Sequence, residues 1–447
     1  MFKQKRAIMC LGLLGVLPLA VVTGLFGQGS SPFPVIHYKL RNGLEVILSE
    51  DLSLPLVSVA VAYNVGSIHE PPGKTGLAYL MENLMFSSGS ANIAPFQHFN
   101  FINHAGGQFN GVAVEDKTLF YQTVPSNQLG LVLWLESDRM MSLDLNEASF
   151  EQQRTYLLED LSQRRVNEPY FESFVAFDQY LYSDFAHSHS LLGSEDNIRN
   201  LTLEDVKSFY STFYVPNNAV LCITGNFNAL RTRELVARYF ENIPPGKDVP
   251  QSFAPLVYTK KPIVASFVDR FAAAPAFHMG FRMAPAISND HYTLTIIDYI
   301  LFRARSSRLI RRLLNPDNKI AYQVSGGIEQ RKDRVTYKIF CVVNTPGMGD
   351  QCQNAIFSEL DKLKKIFISD DDLARYKTVF RQDYLGRLST SMDKAIYLCE
   401  SYLSLGNFDD LPLELEKFMK VSPNDIIPFV NRYFTVDNSV ILNVKTR

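Results

Sequence analysis

Three features of this chain predict an α+β fold of two duplicated lobes, each a mostly antiparallel sheet covered by helices. The first is length: 447 residues exceed one ordinary hydrophobic core, so two domains of about 200 residues are expected. The second is internal similarity. The stretch from Phe209 to Leu221 aligns without a gap on the stretch from Phe429 to Ile441. Phe209 and Phe429, Asn218 and Asn438, and Val220 and Val440 are identical, and aromatic residues match at two further places. Both stretches read as a helix end, a turn and an apolar strand, and a self-match at this spacing points to two copies of one domain. The third is a repeated order of strand-like and helix-like segments.

Taken in order, the N-terminus carries Lys3, Lys5 and Arg6 ahead of an uncharged stretch from Ile8 to Phe26. A basic start followed by an apolar segment has the form of an export signal or, if uncleaved, of a single membrane anchor. Residues 1–30 are therefore assigned to a leader or anchor, and the protein is expected to be exported, periplasmic or secreted. The first lobe, 31–245, opens with strands over His37–Leu48 and Leu56–Asn64, then a helix carrying Tyr79. Strands over Phe109–Val114 and Thr118–Val124 follow, then helices near Leu129–Met141 and Phe150–Arg164. Pro244-Pro245-Gly246-Lys247 marks a linker, set at 246–260. The second lobe, 261–447, repeats the plan. Its strands are Ile263–Asp269 and Ala276–Arg282, followed by one helix from Asp290 to Leu314. Strands Ala321–Gln330 and Arg334–Val343 come next, with helices near Gln351–Ile368 and Asp371–Leu388. Strands that pair, a helix that crosses and strands that pair again make a sheet with helices on it.

Composition narrows the function classes. Hydrophobic residues at 46% and charged residues at 20% suit a folded chain rather than a disordered one. A net charge of -2 offers no basic footprint for nucleic acid. Four cysteines lie beyond the leader, Cys222, Cys341, Cys352 and Cys399, with no zinc-knuckle or Cys-x-x-Cys spacing. Buried thiols are expected, with Cys222 and Cys341 acting as small hydrophobes in strands. His187 and His189 read as part of a solvated loop, since no carboxylate cluster accompanies them in sequence.

The chemistry concentrates in Tyr79-Leu80-Met81-Glu82-Asn83, inside an apolar helical stretch from Gly76 to Phe86. This segment resembles the inverted zinc motif His-x-x-Glu-His of the pitrilysin (insulinase-type) metallopeptidases. There, two histidines one helical turn apart hold zinc and the Glu activates a water. Here Tyr79 and Asn83 stand at the histidine positions and only Glu82 is kept, at the general-base position. The flanks are similar to the same family in the same order. Gly106-Gly107-Gln108-Phe109-Asn110-Gly111 through Asp116-Lys117-Thr118 resembles its Gly-Gly-x-x-Asn-Ala-x-Thr-x-x-Asp-x-Thr region. Glu136-Ser137-Asp138-Arg139 and Tyr214-Val215-Pro216-Asn217-Asn218-Ala219 match further blocks. The resemblance runs from about His37 to the C-terminus and is to the short, two-lobe, processing-peptidase-like branch.

The resemblance implies roles residue by residue. It places Asp160 at the third zinc-ligand position, with Glu159 beside it. It places Phe109, Asn110 and Val112 on the strand to which an extended substrate adds, and Tyr322 at a substrate-contacting position whose partner Arg is replaced by Asn315. Glu82 is expected to bond to Tyr79 or Asn83. Intact members carry zinc; with Tyr79, Asn83 and Asp160 at the ligand positions, none is expected here. No other His-x-x-Glu-His or His-Glu-x-x-His occurs in the chain. The reading is a non-catalytic subunit that binds a peptide or unfolded segment and forms a heterodimer with a zinc-bearing relative. Contact with a membrane is expected only through the N-terminal segment. The alternatives are an active zinc endopeptidase with unrecognised ligands and a stand-alone peptide-binding or assembly module.

Overall fold

The computed structural model describes residues 35–249, 261–283, 289–345, 347–406 and 411–446. The leader or anchor expected at 1–30 and most of the 246–260 linker lie outside the described residues. The first lobe builds a six-stranded sheet from β1 (Ile36–Lys39), β2 (Glu45–Glu50), β3 (Leu56–Tyr63), β4 (Gln108–Ala113), β5 (Thr118–Pro125) and β6 (Ala219–Gly225). The second builds a five-stranded sheet from β7 (Ile263–Asp269), β8 (Ala276–Arg282), β9 (Ala321–Arg331), β10 (Arg334–Val343) and β11 (Ser439–Thr446). Their orders are β1-β2-β6-β3-β5-β4 and β7-β11-β8-β10-β9. Leaving out β1, the two orders are the same. One pair in each sheet is parallel, β2 with β6 and β7 with β11, and the remaining pairs are antiparallel. The fold is the α+β, two-lobe plan read from the sequence.

The duplicated residues do the same work twice. Asn218 donates its side-chain amide to Phe213 O at 2.9 Å and to Asn64 O at 3.4 Å. Asn438 donates to Tyr433 O at 2.7 Å and to Arg282 O at 2.8 Å. In each lobe the amide closes the C-terminal end of a helix onto the chain at the end of the strand next to it. Both are buried, where an unpaired backbone carbonyl is costly.

Two predicted elements are broken. The run His37–Leu48 is a hairpin, β1 and β2, turning at Gly43, whose φ is 91° and whose missing Cβ would stand 2.6 Å from the Asn217 Cβ. The single helix from Asp290 to Leu314 is two, Asp290–Asp298 and Arg308–Leu314, with a π-helical turn at Tyr299–Arg303. Arg303 bonds back to Asp298 at 2.7 Å across that turn. A 3.6-residue apolar period does not register a single wide turn, so the break was invisible in the pattern.

The sequence pattern also missed the helices that join the lobes. Helix Phe171–Leu181, from the first lobe, packs on the second sheet through Phe177 and Leu181 against Val440 and Leu442. Helix Ser391–Leu405, from the second lobe, packs on the first sheet through Ala395, Leu398 and Cys399 against Ala60, Ala62, Val220 and Cys222. Polar bonds tie both crossings. Arg282 donates to Leu181 O at 2.9 Å and Tyr180 O at 3.1 Å, and the Ser391 hydroxyl meets Ser58 Oγ at 2.8 Å. These contacts explain why β6 is buried at every residue: each face of the strand has a cover. Among the described residues no helix is long and apolar enough to cross a membrane.

One crossing contact should make the protein sensitive to acid. His278 is buried under helix Phe171–Leu181, 2.9 Å from Ser173 Oγ and stacked on Phe177 at 5.1 Å between centroids. Burial, helped by the Lys338 charge, pulls its pKa down to about 3. The unfolded chain then binds a proton below about pH 6.5 that the folded chain refuses. Stability from the neutral ring is present above pH 6.5 and is lost as the pH falls toward 3. Between pH 7 and pH 5 the native protein should lose about 2 kcal/mol more than His278→Gln in urea unfolding. Equal losses would show that the ring is already charged or exposed.

Candidate functional site

Helix Leu77–Ser87 begins after Gly76, which lies at φ 98°. Its first amides are capped from a distance by Glu70, whose carboxylate accepts from Gly76 N at 2.9 Å and Ala78 N at 2.7 Å. His189 Nε2 lies 3.1 Å from the same carboxylate. His187 is also buried, its Nδ1 2.5 Å from Asp184 Oδ1. The pair is therefore not a solvated loop. Asp184 is only three residues from His187 and lay within reach of local spacing, whereas Glu70 is 119 residues from His189 and lay beyond it.

The helix buries Leu77, Ala78, Leu80, Met81, Leu84 and Met85 and leaves Tyr79, Glu82, Asn83 and Phe86 half-buried along one stripe. That stripe faces helix Glu147–Asn167 and β4. The Tyr79 hydroxyl donates to Asp160 Oδ2 at 3.3 Å. Arg164, one turn further along, donates Nε to the same oxygen at 3.0 Å and is itself linked to Glu168 at 3.3 Å. Glu159 is exposed. Asn83 turns back on its own helix and donates to Tyr79 O at 2.9 Å. The structure thus brings Tyr79 and Asp160 together, as the resemblance implied. It adds Arg164, an i,i+4 partner that helix spacing alone would have found.

Glu82 differs from expectation. It bonds to neither Tyr79 nor Asn83; its Oε2 accepts from the backbone N–H of Ala113 on β4 at 2.6 Å. The two side chains expected to receive it are engaged elsewhere, and the edge of β4 offers an unpaired donor close by. Burial raises the Glu82 pKa, and the Ala113 hydrogen bond partly offsets this.

These residues do not fit a zinc ion. Burial, with the Asp160 charge beside it, pushes the Tyr79 phenol up to about 12, so at neutral pH it is a protonated donor. The Asn83 amide nitrogen donates to a carbonyl, and Asp160 is already neutralised by a guanidinium. Zinc takes deprotonated thiolates, neutral imidazoles and carboxylates, usually four ligands in all. Among the described residues no three His, Cys, Asp or Glu side chains converge as a metal cluster.

The positions that the resemblance assigns to substrate fall on two equivalent edge strands. β4 pairs only with β5, and β9 only with β10, each at the outer end of its sheet. Phe109 packs between Phe86 and Phe99, with centroids at 5.1 and 5.4 Å. Asn110 and Val112 are exposed. Because ladder bonds alternate in an antiparallel pair, the outward N–H groups of β4 are those of Phe109, Gly111 and Ala113, while Val112 turns its N–H toward β5. Two of the three outward donors have partners within the chain: Gly111 N gives to Asn110 Oδ1 at 2.8 Å and Ala113 N gives to Glu82. Gly111 also replaces the family's Ala where a Cβ would meet the Phe86 ring at 2.7 Å. Tyr322 is 68% exposed on β9, with Lys319 Nζ 5.1 Å from its ring centroid. Asn315 closes a turn by accepting from Asp317 N at 3.1 Å.

Fold and site together define a two-lobe peptidase scaffold whose metal-ligand positions are bonded to one another. The chain belongs to the pitrilysin/insulinase peptidase family. Insulinase (Peptidase family M16) matches residues 45–183, and the Peptidase M16 inactive domain matches residues 200–380. The second match begins ahead of β6, which belongs to the first sheet. The chain is similar to the zinc protease PqqE of Helicobacter pylori, 26% identical over 99% of each chain. It is also similar to the uncharacterized zinc protease YmxG of Bacillus subtilis, 20% identical over 91% of this chain and 97% of that one. Among solved structures, a protease from Helicobacter pylori superposes with a TM-score of 0.85 at 24% identity, over 92% of this chain and 99% of that one. The periplasmic protease PqqL from Escherichia coli gives 0.74 at 14% identity, over 93% of this chain and 48% of that one. At these identities the structural likenesses establish the fold.

Proposed function

We propose that this protein is an exported, zinc-free subunit that holds an extended peptide or unfolded segment and pairs with a zinc-bearing relative. One observation carries the reading: Tyr79, Asp160 and Arg164 form a closed bonded group where the family holds its metal. Glu82, released from base chemistry, serves β4 instead. A carboxylate without a metal beside it has no water of lowered pKa to deprotonate. Export is supported by the basic-then-apolar N-terminal segment and by the periplasmic setting named for PqqL.

Peptide holding uses what remains. An extended segment added to β4 bonds to outward backbone groups, which need no zinc, and seats side chains beside Phe99 and Phe109. To reach Gly111 and Ala113 it displaces the side chains of Asn110 and Glu82. Tyr322 on the equivalent edge contributes one neutral hydroxyl toward the partner's chemistry. With Asn315 in place of Arg, its loss should cost less than the ~10²–10³-fold typical of a principal oxyanion donor.

The test is co-purification from the native host, with elemental analysis and a protease assay on each subunit alone and on the two together. The chain alone should carry no stoichiometric zinc and cleave nothing. Together, the two should exceed the relative alone. A monomer at every concentration that leaves the relative's activity unchanged would make this chain a stand-alone binding module. One zinc per chain, lost on Asp160→Ala, together with cleavage by the chain alone that is lost on Glu82→Ala, would make it an enzyme.

A further inference from the structure

The four cysteines among the described residues are all buried as free thiols, and two of them, far apart in sequence, belong to one cluster between the lobes. Cys222 lies on β6, in the middle of the first sheet, and Cys399 lies on helix Ser391–Leu405, which arrives from the second lobe. Both are fully buried in the same apolar cluster. Cys399 Sγ is 3.9 Å from Ala60 O and 3.9 Å from Val220 O. Ala60 is the cross-strand partner of Cys222, and Val220 is its neighbour on the same face of β6. The Cys399 sulfur is therefore held against the stretch of sheet that carries Cys222, and both are free thiols in this structure. Cys341 on β10 and Cys352 on helix Gly349–Lys365 are buried in the core of the second lobe, with Cys352 Sγ donating to Ile320 O at 3.4 Å. If the protein is exported, as proposed above, it folds in an oxidising compartment, where two cysteines brought into one cluster can be joined.

We propose that Cys222 and Cys399 form a disulfide that staples the two lobes through the crossing helix. The bond forms by exchange. The Cys222 thiolate attacks one sulfur of an oxidant disulfide, a small-molecule or oxidoreductase disulfide, and expels one oxidant thiolate. The Cys399 thiolate then attacks the Cys222 sulfur of the mixed disulfide and expels the second. The two cysteines lose two protons and two electrons, and the oxidant leaves as two thiols.

Timing follows from burial. Once the helix is docked, no oxidant reaches either sulfur, and burial holds the Cys222 thiol well above its usual range. The exchange therefore belongs to folding, while the two lobes are still closing on each other. It closes a loop of roughly 180 residues, a length at which restricting the unfolded chain counts strongly.

The test reads the bond directly and needs no variant. Reduced full-length chain is refolded in a buffer of reduced and oxidised glutathione. A second sample is taken from the native host with thiols blocked at lysis. Both are alkylated in denaturant, digested without reductant and analysed by mass spectrometry. A peptide pair joining Cys222 to Cys399 is expected in both samples. Alkylated Cys222 and Cys399 in either sample, or Cys222 joined to another cysteine, overturns the proposal. As a second readout, reductant added during unfolding should lower the midpoint of the native protein by several degrees and leave Cys222→Ala/Cys399→Ala unchanged. An equal shift in both would overturn the staple.

Discussion

Changing Tyr79 and Asn83 to histidine, Asp160 to glutamate and Arg164 to alanine is expected to produce a chain that holds one zinc ion. The same chain with Arg164 retained is expected to bind at least ~10²-fold more weakly. Tyr79 and Asn83 already stand one helical turn apart on the stripe that faces Asp160, so the backbone presents the right positions. The longer glutamate reaches back from helix Glu147–Asn167 toward that stripe. Arg164 is the obstacle that sequence matching overlooks. Its guanidinium sits 3.0 Å from the carboxylate that must turn to the metal. A unit positive charge left ~4 Å from a divalent ion costs several kcal/mol even at an effective dielectric of about 20, and its escape to solvent recovers only part of this. Competition against a chromophoric chelator measures both affinities, with circular dichroism to establish that each variant is folded. A folded fourfold variant without zinc would mean that these helices are not where the family keeps its ligands. Hydrolysis is a further step, since Glu82 must first leave Ala113 for a bound water.

Leu398→Ala is expected to destabilise the whole protein by about 2–5 kcal/mol, although the residue is far from the site. Leu398 is fully buried on helix Ser391–Leu405, in the cluster shared with Ala60, Ala62, Leu119 and Val220 of the other lobe. Truncation leaves a hole between a helix and a sheet. Leu230→Ala, at a residue 74% exposed, should stay within about 0.5 kcal/mol. Urea unfolding followed by fluorescence and by circular dichroism measures both. Because each sheet borrows a helix from the other lobe, the two probes should report one shared transition. Two separated transitions, with Leu398→Ala moving only one, would show that the lobes fold independently.

Much of the site was legible because its signals are local. The stripe Tyr79, Glu82, Asn83 and Phe86 follows from helical spacing. Tyr79 and Asn83 at the two histidine positions of the resemblance are visible in the letters themselves, and the resemblance assigns Asp160 to the third position. The partner of Glu82 was not legible. The choice between Tyr79, Asn83 and Ala113 depends on where the edge of β4 ends up, which no window around Glu82 contains. The reading of His187 and His189 as a solvated loop failed for His189 for the same reason, since Glu70 lies more than a hundred residues away, while Asp184, three residues from His187, was a local signal passed over.

The sequence by itself determined the duplication, nearly every strand, and the loss of an ordinary zinc motif. These depend on residue identity and on periods of two or 3.6 residues, which short segments express wherever they are placed. Only the tertiary structure decided which helix covers which sheet, where the helix after Asp290 widens and breaks, which carboxylate caps helix Leu77–Ser87, and which cysteines meet. Those outcomes depend on surfaces brought together from distant parts of the chain. An apolar stripe states that it will be buried, but the partner that buries it is settled when the two lobes close.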